Sequence, residues 1–244
     1  MKNFERDNSL DLVKWIALLT MIIDHMWFVL PTATQENMYW MRIIGRFAYP
    51  LFCLAIAANV ARQPVGYSGG WRYLGGIFLF AMLSQWPYSR FFDNGNLNIF
   101  FTLALGLFIT QAAHHRTPRL IAGGLLALAL AIAYRPALGY GVTGVLLPVA
   151  LMFALKAQGL ESRIASWSLA ALLAVLANGG LQILLLSDQP LSDQTVIAVA
   201  AIAPPLGLLL LQVRVRPLRP VGSWLYPLYP IHLMILKSLS IAWT

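Results

Sequence analysis

Nine apolar stretches follow one another along this chain, at roughly 12–31, 40–61, 71–88, 97–114, 119–134, 139–157, 164–186, 194–213 and 222–243. Runs of this length cover about 30 Å of hydrocarbon when helical, and the connections between them are short. They predict an all-α fold: a polytopic integral membrane helical bundle of about nine transmembrane helices, folded as one domain over residues 1–244. The stretches 119–134 and 139–157 are the shortest or weakest and suit a bent hairpin. Composition agrees, with 59% hydrophobic and 11% charged residues, against about a quarter charged in a soluble domain.

The charges orient the bundle. Lys2, Arg6, Lys14, Arg62, Arg72, Arg116, Arg119, Lys156, Arg163, Arg214, Arg216 and Arg219 fall in one alternate set of connections. The other set holds Glu36, Asp93, Asp188 and Asp193, with only Arg90 and Arg135 as looped cations. By the positive-inside rule the N-terminus is expected in the cytoplasm and the C-terminus outside. The net charge of +8 then reflects loop placement, and no nucleic-acid partner is expected. Cys53 is the sole cysteine and sits in an apolar run, which excludes a disulfide framework or a thiolate metal cluster. Residues 1–33 read as a retained first span, because a cleaved signal core is short and free of charge.

"LLTMIIDHMWFVLP" places Asp24 and His25 inside the first span. An ionisable side chain at membrane depth needs a partner or a wet cavity. At 1.5 Å per residue, both lie about 18–20 Å from the cytoplasmic end of the span, Arg46 lies about 9 Å below the outer end of the second, and His232 falls near the middle of the ninth. Four ionisable groups from three spans therefore share one band. Adjacent residues on a helix point about 100° apart, so Asp24 and His25 cannot pair tightly with each other. Asp24 is expected to pair with Arg46 or to orient a histidine from another span; a purely structural Asp24–Arg46 pair is the alternative. Lys14 and His25 are eleven residues apart, about three turns, and share a helix face. A cation at the cytoplasmic mouth beneath a deep imidazole suits a long anionic ligand, although Lys14 snorkelling to the interface would look the same.

Supporting polar groups sit at Tyr49, Gln85, Asn98, Tyr140, Tyr226 and Tyr229, with Pro227 and Pro230 breaking the helix near His232. These tyrosines and amides are candidate substrate-binding residues. No phosphate loop, G-x-S-x-G elbow, H-E-x-x-H or EF-hand pattern occurs, and no metal site is expected.

The stretches "DLVKWIALLTMIIDHM", "IGRFAYPLFCLAIAANVAR", "SQWPY", "GNLNIFFTLALG", "YGVTGVLLP" and "YPLYPIHLMIL" resemble, in order, the TraX family of polytopic proteins that acetylate the N-terminus of conjugative F-type pilin. The first span also resembles the acyltransferase-3 superfamily pattern D-x-x-R-x10-H, here Asp11, Lys14 and His25, with lysine in place of arginine. The resemblance implies an acetyl-CoA-dependent acyltransferase acting on an acceptor at the membrane or its outer face, a pilin or a surface glycan. It implies His25 as general base, Asp24 ordering the site, and Arg46 or His232 with Tyr229 stabilising an oxyanion or orienting the acceptor. Lys14, Arg72 and Arg116 would hold the CoA phosphates. Direct transfer and a two-step route through an acetyl-histidine both fit. A proton-coupled transporter or a non-enzymatic membrane assembly factor are the competing classes.

Overall fold

The apolar runs become helices because every backbone polar group in lipid must be satisfied within its own segment. The computed structural model describes residues 8–66, 70–180 and 191–242. Its helices are α1 (Asn8–Trp27), α2 (Thr32–Gln35), α3 (Trp40–Gly45), α4 (Ala48–Ala61), α5 (Gly70–Phe92), α6 (Ile99–His115), α7 (Pro118–Ala133), α8 (Gly141–Lys156), α9 (Leu160–Ala177), α10 (Leu191–Leu210) and α11 (Leu225–Ala242). A single 3₁₀ turn, Arg135–Ala137, joins α7 to α8. Among the described residues there is no strand, only an isolated bridge between Leu97 and Leu138. Lys2, Arg6 and Asp188 of the charge pattern, residues 181–186 of the seventh apolar stretch and residue 243 of the ninth lie outside the described residues.

Trp40–Ala61, Leu160–Ala177 and Ser192–Leu210 are long and apolar enough to cross a membrane, while Ile99–His115, Pro118–Ala133 and Gly141–Lys156 are apolar but shorter. The length of α1 would serve as well, but it carries Asp11, Lys14 and Asp24. The outward surface matches a lipid environment: α5 exposes Phe78, Leu79, Met82, Leu83 and Trp86, and α7 exposes Leu125, Leu126 and Ile132. The chain has the character of a membrane protein.

At the centre stands α4, against α1, α6, α8 and α10, while α11 packs on α5 and α5 on α6. Leu51, Leu54, Leu107, Leu147, Leu151, Met152 and Leu233 fill the core, and Cys53 is fully buried among them.

Local chemistry sets the ends that frame the site. Asn98 caps α6 by accepting from the Phe100 N–H at 3.0 Å. Thr117 caps α7, with Pro118 at its first turn. Where 40–61 was expected as one span, a break falls at Arg46–Phe47. Pro50 has no N–H to offer the carbonyl of Arg46, so the α-helical ladder fails at that residue and shorter bonds, Arg46 N–H to Ile43 O and Phe47 N–H to Ile44 O, both 3.1 Å, turn the corner. The first apolar stretch also ends early as a helix, at Trp27, which puts Asp24 and His25 in the last turn of α1 rather than at its middle.

Candidate active site

Asp24 and His25 do diverge. The Asp24 carboxylate turns toward α3, where Arg42 Nη1 stands 2.7 Å and Arg46 Nη2 3.1 Å from the same oxygen, Oδ1. The three side chains are 14–21% exposed. Arg46 is held at each nitrogen: Nε donates to the Arg42 carbonyl at 3.1 Å and Nη1 to Asn178 Oδ1 at 3.2 Å. The Arg42 guanidinium lies over the ring of Phe28, 4.4 Å from its centroid. Gly45 permits this approach of α3 to α1, because a Cβ there would strike the Asp24 carboxylate. One carboxylate facing two guanidiniums leaves the cluster with a surplus positive charge.

His25 turns the other way and meets His232 of α11, Nδ1 to Nε2, at 2.7 Å. The two rings are parallel within 1° with centroids 5.0 Å apart. That separation is the nitrogen contact plus two ring radii, so the imidazoles lie edge to edge in one plane rather than face to face. His232 Nδ1 is in turn 3.0 Å from the carbonyl of Leu228. A carbonyl only accepts, which assigns the proton of His232 to Nδ1. In the neutral pair, His232 Nε2 then accepts from His25 Nδ1–H, and the lone pair of His25 remains on Nε2. Aromatic rings collar this histidine: Phe91, Phe92 and Tyr229 have centroids 5.5–6.3 Å away, and Phe28 packs on Phe92 at 5.0 Å.

His25 and the Asp24–Arg42–Arg46 cluster line a single cavity of about 680 Å³, while His232 stands behind His25, outside the lining. Lys14 lines it near the start of α1, and Asp24 and His25 line it near the end, so the shared face expected of Lys14 and His25 becomes one wall of one chamber. Arg46, Tyr49, Tyr140, Tyr226 and Tyr229 line it too. Tyr49 and Tyr140 stack with centroids 3.8 Å apart and planes within 6°. Gly144 makes room for them, since a Cβ there would come within 2.9 Å of the Tyr49 hydroxyl. That hydroxyl is buried beside the Cys53 thiol, a weak hydrogen-bonding group, and has no nitrogen or oxygen partner among the described residues. A buried polar atom left in this state calls for a partner.

Other expected site residues lie elsewhere. Gln85 and Asn98 do not line the cavity. Gln85 Oε1 accepts from the Asn98 N–H at 2.9 Å and from Asn98 Nδ2 at 3.0 Å, and Gln85 Nε2 donates to the Asn96 carbonyl at 2.9 Å. Asn98 Nδ2 also donates to the Ala81 carbonyl at 2.6 Å. These amides join α5 to α6. Arg72 and Arg116 are exposed and outside the cavity lining; Arg116 closes α6 in a left-handed conformation, φ 54°. The sequence reading passed over Arg42, Asn59, Tyr73 and Asn178, all of which line the cavity. Arg42 stands one turn before Arg46, a spacing that puts two guanidiniums on one helix face.

The profile described as "TraX protein" matches residues 9–240. The chain belongs to the TraX family. Two curated relatives, both named "Protein TraX", are similar to it. The one from Escherichia coli is 30% identical over 175 residues, 68% of this chain and 63% of that protein. The one from Escherichia coli strain K12 is 29% identical over 146 residues, 56% of this chain and 52% of that protein. The chain thus spans between about half and two thirds of the length of the relatives it matches. No solved structure matches it. In this TraX family member the matched region takes in both charged clusters and the cavity that joins them.

Proposed function

We propose that this protein is an integral-membrane acetyltransferase that carries an acetyl group from acetyl-CoA to an amine or hydroxyl acceptor across one chamber. The observation that carries the reading is the cavity of about 680 Å³ with Lys14 toward one end and the His25–His232 pair and the Asp24–Arg42–Arg46 cluster toward the other. Its volume lies within the usual range for small-ligand sites, and a cation at the mouth with an imidazole deep inside fits a long donor with an anionic head and a reactive tip. In an inner membrane, with the N-terminus cytoplasmic and nine spans, as the loop charges favour, the donor comes from inside and the acceptor meets it at the outer end. The acceptor is a pilin N-terminus or a surface glycan.

In the reaction, His25 Nε2 takes the acceptor proton as the acceptor nitrogen or oxygen attacks the thioester carbon. His232 holds the opposite nitrogen of that ring and the Leu228 carbonyl holds His232, so the tautomer needed for proton uptake is set beforehand, in the manner of a catalytic triad. Negative charge develops on the carbonyl oxygen where the surplus positive charge of Arg42 and Arg46 and the Tyr49 hydroxyl are available to it. The C–S bond breaks, and the departing thiolate recovers the proton from His25. The acetyl group has then moved from sulfur to the acceptor, and the acceptor proton to sulfur. Asp24 holds the two arginines in register and takes no proton.

The test is His25→Ala in membranes supplied with acetyl-labelled CoA, with label followed into protein, lipid and glycan fractions. Loss of transfer at normal protein level is expected; undiminished transfer overturns the assignment.

A further inference from the structure

Arginines 72 and 116 lie off the cavity, which leaves the question of what faces an anionic donor head at the Lys14 end. The segment 211–224, between α10 and α11, crosses the start of α1 as an irregular strap. It is pinned along its length. Ser9 Oγ donates to the Val213 carbonyl at 2.7 Å, Trp15 Nε1 to the Arg219 carbonyl at 2.9 Å, and the Val221 N–H to Asp11 Oδ1 at 3.2 Å. Lys14 Nζ reaches the Val221 carbonyl at 3.5 Å. Trp15 packs on Trp224 at 5.5 Å, and Trp224 Nε1 ties back to the Pro220 carbonyl at 2.9 Å. The far end of the strap, Val221, Gly222 and Ser223, forms cavity wall together with Lys14. Along the strap, Val215 and Leu218 are half-buried while Arg214, Arg216 and Arg219 are exposed. Like Arg72 and Arg116 these three lie outside the cavity lining, but their segment is pinned to the start of α1 and ends in cavity wall.

We propose that this strap is the phosphate-binding site for the donor, with Arg214, Arg216 and Arg219 gripping the phosphates of a phosphorylated adenosine diphosphate while the thioester arm passes Val221–Ser223 and Lys14 into the chamber. Guanidinium forks match phosphate oxygens two at a time, and they keep their charge at any working pH. Pinning by α1 side chains holds their backbone in place before the ligand arrives, which lowers the ordering cost of binding. The placement rests on the acetyl-CoA reading above and departs from it in assigning these residues. An anionic lipid headgroup offers the same phosphate chemistry, so the experiment separates the two sources.

The full chain is placed in nanodiscs of zwitterionic lipid alone and, separately, with anionic lipid added. Binding of CoA, of dephospho-CoA and of pantetheine is measured by calorimetry for the wild type and for a variant carrying Arg214→Gln, Arg216→Gln and Arg219→Gln. The variant is expected to bind CoA about tenfold or more weakly in both lipids, to lose less affinity for dephospho-CoA, and to keep pantetheine affinity and melting temperature. Arg214→Lys, Arg216→Lys and Arg219→Lys together restore only part of the loss, since lysine keeps the charge without the bidentate fork. A variant that binds CoA as tightly as the wild type overturns the strap site while leaving the donor reading standing. A change confined to anionic nanodiscs overturns it in favour of lipid. Absence of CoA binding by the wild type in both lipids overturns the donor reading and the strap with it.

Discussion

Replacing His232 tests the proposed mechanism more sharply than replacing His25. In the structure His232 Nε2 receives the His25 Nδ1 proton at 2.7 Å, and the pair is anchored on the Leu228 carbonyl at 3.0 Å. His232→Ala removes that acceptor, and His25 is then free to rotate and to protonate Nε2, the nitrogen that must be bare. A buried hydrogen bond contributes about 1–1.5 kcal/mol net, and leaving its donor unmet costs about 1–3 kcal/mol. At about 1.4 kcal/mol per factor of ten, the expected fall in rate is about 10- to 100-fold. His25→Ala, which removes the base itself, is expected to lose about 10²- to 10⁴-fold. His232→Gln keeps an oxygen to receive the Nδ1 proton and should recover most of the rate. Initial rates of acetyl transfer from labelled acetyl-CoA in proteoliposomes, with melting temperatures to exclude unfolding, provide the assay. Because the two histidines act as a unit, the double variant should be no slower than His25→Ala alone. A wild-type rate for His232→Ala, or losses that multiply in the double variant, refutes the relay.

Two further outcomes follow from the packing. Gly45→Ala drives a methyl group into the Asp24 carboxylate and is expected to destabilise the protein by about 1–3 kcal/mol; Gly75→Ala, whose Cβ meets nothing within 4 Å, should hold or raise the melting temperature, and equal shifts for both would refute the close α1–α3 contact. Gln85→Ala breaks the α5–α6 joint at Asn96 and Asn98 and should cost about 1–3 kcal/mol without altering donor affinity or rate per folded molecule, whereas an unchanged melting point with lost transfer would return Gln85 to the substrate site.

Much of this arrangement was legible in the residues. Helix α6 occupies Ile99–His115 where hydropathy predicts 97–114, because apolar runs in a chain of this kind have few alternatives to a helix. The eleven-residue spacing of Lys14 and His25 carried through to a common cavity wall, since helical phase is fixed by geometry. Contact between distant segments was legible only where ionisable groups share one depth, as for Asp24 with Arg46. Arg42 and Asn178 join the site only through the corner at Arg46 and the end of α9. The strap has no periodicity, and its place over α1 comes from hydrogen bonds more than two hundred residues apart in sequence, as between Val221 and Asp11. Gln85 and Asn98 look like any polar pair inside apolar surroundings until their partners are known.

A chamber that admits a donor from one side and an acceptor from the other is also a potential leak. Any ion moving through such a chamber would respond to the transmembrane voltage, at about 2.3 kcal/mol per elementary charge per 100 mV. At the His25 end Phe28, Phe91 and Phe92 crowd around the imidazole, with Arg42 over Phe28 and two guanidiniums against one carboxylate. A fixed positive charge repels protons and metal cations, the device that pores use to reject them. In the proposed enzyme the same surplus charge that steadies an oxyanion would also oppose the leak of protons and metal cations through the chamber.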